Sequence, residues 1–140
     1  MKICIVTGGT GGHIYPALAL AQAYKDQDAN HELLFIGNDD RMEARLIPQA
    51  GFAFKGIQTK GIQGNILNKL YALYTLFFNR KPVRNILDTF KPDLVIGFGG
   101  YVCVPVILEA KKMGIKTFLH EQNAIAGKAN LFLAKHVDGI

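Results

Sequence analysis

The apolar run Lys2–Val6 passes without a linker into Thr7-Gly8-Gly9-Thr10-Gly11-Gly12, and then into the helix-favouring Ala17-Leu18-Ala19-Leu20-Ala21. A short, continuously apolar and β-branched run bounded by glycines reads as a buried strand, so the chain opens as strand, glycine turn and helix. Pro16 suits the first turn of that helix. The unit constrains the fold strongly, because a strand apolar on both faces needs helices on both sides of its sheet. The same pattern recurs along the chain. Residues 32–37, 52–57, 93–98 and 116–120 read as further strands, and helices are expected over 42–49, 65–79, from Pro82 to about 90, 105–113 and 127–135. Such alternation predicts an α/β domain with a doubly wound parallel sheet covered on both faces; if its strand order is 3-2-1-4-5, the first and fourth strands are neighbours.

With 140 residues, 49% of them hydrophobic and 19% charged, the chain has material for one domain and one sizeable core. This excludes a disordered chain and a disulfide scaffold. Cys4 and Cys103 have no paired spacing and read as reduced thiols of a cytosolic protein. The first residues turn polar after four apolar positions, too few for the core of a signal peptide, so no export is expected. The closing His136-Val137-Asp138-Gly139-Ile140 reads as the start of a further strand, and the expectation is an N-terminal domain of a longer protein.

Glycine turns between strand and helix let backbone N–H groups and the helix N-terminus approach a phosphate. The dinucleotide pattern G-x-G-x-x-G fails here, since Ile14 stands where its third glycine belongs. Asp39, after the second strand, could still serve a ribose, which leaves a nicotinamide dinucleotide weakened and not eliminated. No phosphate-loop motif occurs. A second glycine turn, Gly97-Phe98-Gly99-Gly100-Tyr101, follows the fourth strand, and His120-Glu121-Gln122-Asn123 follows the fifth. In that strand order all three loops meet at one crevice. Taken singly, each is equally an ordinary tight turn or a capped polar loop.

In order and spacing, Gly8-Gly9-Thr10-Gly11-Gly12-His13, Gly99-Gly100-Tyr101-Val102 and His120-Glu121-Gln122-Asn123 with Gly127 resemble the N-terminal half of the MurG family. These are the undecaprenyldiphospho-muramoylpentapeptide β-N-acetylglucosaminyltransferases of peptidoglycan synthesis. The resemblance spans all 140 residues but only one of that family's two domains. It implies the Rossmann-like N-terminal half of a GT-B glycosyltransferase, with the C-terminal donor-binding domain absent from this chain. The implied reaction moves N-acetylglucosamine from UDP-GlcNAc to lipid I, an undecaprenyl-linked acceptor, to form lipid II. By motif position Thr10, Gly11 and Gly12 correspond to a donor-contacting loop, Gly99 and Gly100 to the second glycine loop, and Asn123 to a further donor contact. Tyr101, Glu121 and Gln122 would line the cleft. Cys103-Val104 departs from the family's Ser-Gly before proline, which removes any hydroxyl contact from that position.

An inverting transfer needs a base for the acceptor hydroxyl. His13 is the candidate, at the mouth of the first loop, with Glu121 the alternative carboxylate; capping of the loop is an equally open role for His13. No cofactor is expected, and no cluster has metal-ligand spacing.

The formal charge of +5 is unevenly placed. Between Lys55 and Lys91 stand seven basic residues and one acid, Asp88, whereas the rest of the chain is nearly balanced. Within 65–79, Leu67, Leu70, Tyr71, Tyr74 and Phe78 form one apolar stripe, while Ile66, Leu73, Leu76 and Phe77 form a second face beside Lys69. With Arg80, Lys81 and Arg84 following, this is the pattern of a segment lying on an anionic membrane surface. It is too short to span. Burial of both faces, or packing on the absent domain, is the other reading. A lipid-linked acceptor favours the membrane and implies the cytoplasmic face of the cell membrane. A non-catalytic membrane-docking subunit of a split glycosyltransferase remains the functional alternative. Nucleic-acid binding is disfavoured, because the aromatics follow a helix-interior pattern and form no stacking platform.

Overall fold

A computed structural model of the chain describes residues 1–59 and 80–140. Five strands, β1 (Lys2–Val6), β2 (Glu32–Asn38), β3 (Ala53–Ile57), β4 (Leu94–Gly97) and β5 (Lys116–Leu119), form one sheet in the order β3-β2-β1-β4-β5. Every pairing is parallel. The parallel sheet is the one the alternation predicts, and its order makes β1 and β4 neighbours. Around the sheet lie α1 (Gly11–Gln27), α2 (Glu43–Gln49), α3 (Arg80–Phe90), α4 (Cys103–Lys112) and α5 (Lys128–Leu133). The helix expected over 65–79, and with it Ile66, Lys69, Leu73, Leu76 and Phe77, lies outside the described residues.

Side-chain alternation along β1 divides the core. Ile3 and Ile5 join Phe35, Ile96 and Phe98 beneath Ile14, Ala17 and Ala21 of α1 and Ile47 of α2. Cys4 and Val6 face the other way, against Val83 and Leu87 of α3, Val106, Ile107 and Ala110 of α4, and Leu133 of α5. Because both faces are covered, the central strands β1, β2 and β4 are almost continuously apolar and buried, whereas the edge strands β3 and β5 keep exposed positions such as Lys55 and Lys116. Both cysteines are free and buried in the second cluster, where desolvation raises the Cys4 thiol beyond the ordinary range and Cys103 to about 12.

Two helices start earlier than the sequence suggests. Thr10 takes an extended N-cap conformation and the helix begins at Gly11, so Pro16 lies inside α1, not in its first turn. Its missing N–H costs one helical bond, to the Gly12 carbonyl. Likewise α4 begins at Cys103, with Pro105 still within its first turn, where a missing N–H has no helical partner to lose. At the far end, the Leu119 N–H donates to the Gly139 carbonyl at 3.0 Å and Phe118 bridges Gly139 in parallel, so the final residues do run beside β5 as a strand start would.

Candidate functional site

Register fixes where the loops emerge. Val6 pairs with Gly97, and Gly97 with Leu119, so the segments after β1, β4 and β5 leave the same edge side by side. Between them lies a cleft of about 170 Å³ lined by His13, Gly99, Gly100, Tyr101, Glu121 and the turn 127–130. Five of the residues singled out from the sequence thus share one cavity. Thr10, Gly11 and Gly12 stand beside it as the N-cap and opening turn of α1.

The Thr10 hydroxyl makes no cap hydrogen bond and instead lies 3.3 Å from His13 Nδ1. The same Nδ1 is 3.1 Å from the Gly8 carbonyl. A carbonyl only accepts, so this bond requires a proton on Nδ1, and in the neutral ring Nε2 then carries the free lone pair. Gly99 leaves room for that ring: a β-carbon there would stand 2.9 Å from His13 Cδ2 and Nε2.

Glu121 is a brace. One carboxylate oxygen accepts from the Asn123 N–H and side-chain amide at 2.9 and 3.0 Å. The other accepts from the Gly127 N–H at 3.1 Å and the Asn130 amide at 2.9 Å. Desolvation works to raise its pKa, but these donors outweigh it and hold the group at about 2. So low a pKa, with the oxygens already engaged, gives Glu121 little capacity to take a proton at neutral pH, and its geometry is that of a loop anchor. Asn123 spends its side chain on this brace and not on the cleft. The Gln122 amide is inaccessible to solvent and has no partner among the described residues.

Sequence reasoning passed over Lys128 and Asn130, which complete the cleft wall. Asn130 is 5% exposed and also donates to the His120 carbonyl at 3.3 Å. The signal was available as an amine directly after Gly127 and an amide three residues after it.

Arg80 and Arg84 have an intramolecular partner that the sequence does not reveal. Arg80 Nε donates to Glu109 Oε2 at 3.1 Å, and Arg84 Nη1 to Glu109 Oε1 at 3.0 Å. The Glu109 side chain is 2% exposed and the arginines about half exposed. Arg84 also pairs with Asp88 at 3.7 Å. Two acids thereby offset two of the three charges of Arg80, Lys81 and Arg84. Among the described residues no helix is long and apolar enough to cross a membrane, and no group of His, Cys, Asp and Glu is arranged to hold a metal.

A doubly wound parallel sheet with two interlocked glycine loops and a polar third loop at its switch point is the Rossmann-like N-terminal half of a GT-B glycosyltransferase. The chain belongs to the family described as the glycosyltransferase family 28 N-terminal domain, whose model matches residues 3–140. It is 45% identical over 141 residues to the UDP-N-acetylglucosamine--N-acetylmuramyl-(pentapeptide) pyrophosphoryl-undecaprenol N-acetylglucosamine transferase of Acetivibrio thermocellus, covering 100% of this chain and 38% of that protein. The protein of the same name from Citrifermentans bemidjiense is 40% identical, with 39% of its length covered. The chain therefore spans well under half of these relatives. The crystal structure of Acinetobacter baumannii MurG superposes with a TM-score of 0.85 at 33% identity, over 98% of this chain and 40% of that one. The calicheamicin glycosyltransferase CalG4, at 15% identity and a TM-score of 0.66, shares the fold.

Proposed function

We propose that this chain is the acceptor-holding, membrane-contacting half of an inverting glycosyltransferase that moves N-acetylglucosamine from UDP-GlcNAc to lipid I, giving lipid II. The observation that carries the reading is the His13 geometry: Nδ1 is committed to the Gly8 carbonyl, and the ring lines a cleft together with the second glycine loop and the loop after β5. In the step proposed, Nε2 takes the proton of the acceptor hydroxyl as its oxygen bonds to the anomeric carbon. The bond from that carbon to the phosphate oxygen breaks, and UDP leaves with the electron pair. Inversion follows from the single displacement. The opening turns of α1 and α4 point N–H groups at this edge, where a diphosphate of donor or acceptor is stabilised. Thr10, Gly11 and Gly12 contact the donor, with Tyr101 near the sugars.

Membrane contact is assigned to the apolar face of 65–79 with Lys69 and Lys81, and places the protein at the cytoplasmic face of the cell membrane. Arg80 and Arg84, half exposed, contribute there only what their pairs leave.

The test is His13→Ala in the full-length protein, assayed with UDP-GlcNAc and a lipid I analogue. The expected fall in kcat is about 10²–10⁴-fold, with little change in donor KM and loss of the acidic limb of the pH–rate profile. A His13→Asn variant that keeps most of kcat and the acidic limb contradicts the catalytic role and leaves His13 as a loop cap.

A further inference from the structure

Glu43 is the first residue of α2, fully buried, and makes no ion pair among the described residues. A carboxylate in such a place must be satisfied by hydrogen bonds alone. Oε1 accepts from the Asn38 N–H and from the Asn38 side-chain amide, both at 2.9 Å. Oε2 reaches into the first glycine loop and accepts from the Gly9 N–H at 3.3 Å. The loop is shaped around it. A β-carbon on Gly8 would stand 2.4 Å from Glu43 Oε1, and one on Gly37 would stand 2.6 Å from Glu43 Cγ.

The Gly9 N–H and the Gly8 carbonyl are two ends of one peptide unit, which is planar and trans, so they point in opposite directions. One end is held by Glu43. The other accepts from His13 Nδ1. Both flanking residues are glycines, and Gly9 has φ +92°, so rotation of this peptide about its neighbours meets no β-carbon. Rotated by half a turn, it would offer His13 a donor where it now offers an acceptor. Nδ1 would then have to give up its proton, and the neutral ring would carry it on Nε2, where a base needs its lone pair.

We infer that Glu43 is a positioning residue that selects the His13 tautomer through the Gly8–Gly9 peptide. The inference rests on His13 being the base. A carboxylate suits the task because it only accepts, so it favours one face of the peptide and opposes the other. Pulling on the N–H also polarises the peptide toward a stronger carbonyl acceptor for Nδ1. Glutamine at the same position keeps the size, but its amide must either set its NH₂ against both Asn38 donors, losing both bonds, or set it against the Gly9 N–H.

The experiment compares wild-type and Glu43→Gln full-length protein, labelled with ¹⁵N-histidine, by NMR at a pH where the His13 ring is neutral. Wild type is expected to show Nδ1 protonated and Nε2 bare. Glu43→Gln is expected to shift this pattern toward protonated Nε2 and to lower kcat about 10²-fold, with UDP-GlcNAc KM little changed. Glu43→Asp, one methylene too short to span to Gly9, should not restore the rate. Protonated Nε2 in the wild type, or the same pattern in both proteins, overturns the inference, as does an unchanged kcat in a folded Glu43→Gln. Should the Gln variant fail to fold, Glu43→Asp supplies the same tautomer comparison, and protonated Nε2 in the wild type still overturns the inference. Transfer absent from wild type with the tautomer shift present would defeat the functional reading while leaving the role of Glu43 intact.

Discussion

A β-carbon on Gly100 would lie 2.6 Å from the carbonyl oxygen of Gly8, closer than any side chain tolerates. The two glycine loops are therefore in backbone contact, and the carbonyl at that contact also holds His13. Gly99 and Gly100 both have positive φ, 106° and 85°, which L side chains rarely adopt.

Alanine at either position should separate the loops. Gly100→Ala is expected to cost about 1–3 kcal/mol from backbone strain, with the clash against Gly8 added. Gly99→Ala pushes on the His13 ring directly. Thermal unfolding should show both losses, and in the full-length protein Gly99→Ala should lower kcat more than its stability loss explains.

Glu121 gives the loop at 121–130 a pH dependence. Its folded pKa, about 2, lies below the ordinary 4.5, so its bonds stabilise the loop fully above pH 4.5 and are lost as pH falls toward 2. Glu121→Gln should abolish that dependence and loosen the loop at neutral pH. Amide protection of Asn123 and Gly127, relative to the intrinsic exchange rate at each pH between 2 and 6, is the measurement: protection falling below pH 4.5 in wild type, and uniformly lower protection in the variant.

Glu109 makes its two arginines structural. Replacing both Arg80 and Arg84 by Met strands a buried carboxylate, with an expected loss of about 3–5 kcal/mol. Adding Glu109→Leu to that double variant should recover much of it, and urea midpoints of the three proteins give the coupling.

Membrane contact is best probed without touching those arginines. Leu73→Ser, Leu76→Ser and Lys81→Glu together should abolish sedimentation with anionic vesicles while the melting temperature holds. Undiminished binding by that variant would end the assignment.

The parallel sheet and the meeting of the three loops were legible because local signals and global packing agree: glycines follow strands wherever the chain turns at the crevice. His13 was legible by position, but its orientation depends on a carbonyl five residues back. Glu43 and Glu109 were not legible. Both look like solvated acids in a helix, and only tertiary contacts with Gly9 and with Arg80 and Arg84 reveal them as buried acceptors. Pro16 misled in the same way, since the helix start is set by Thr10 and the glycines before it.

The contact between Gly8 and Gly100 also determines when disorder is lost. Glycine surrenders more conformational freedom on folding than any other residue. Here Gly8, Gly9, Gly99 and Gly100 surrender it as the sheet forms, because each loop is the other's wall. Any ligand arriving at that edge meets a surface already set, and the entropy opposing its capture is mostly its own.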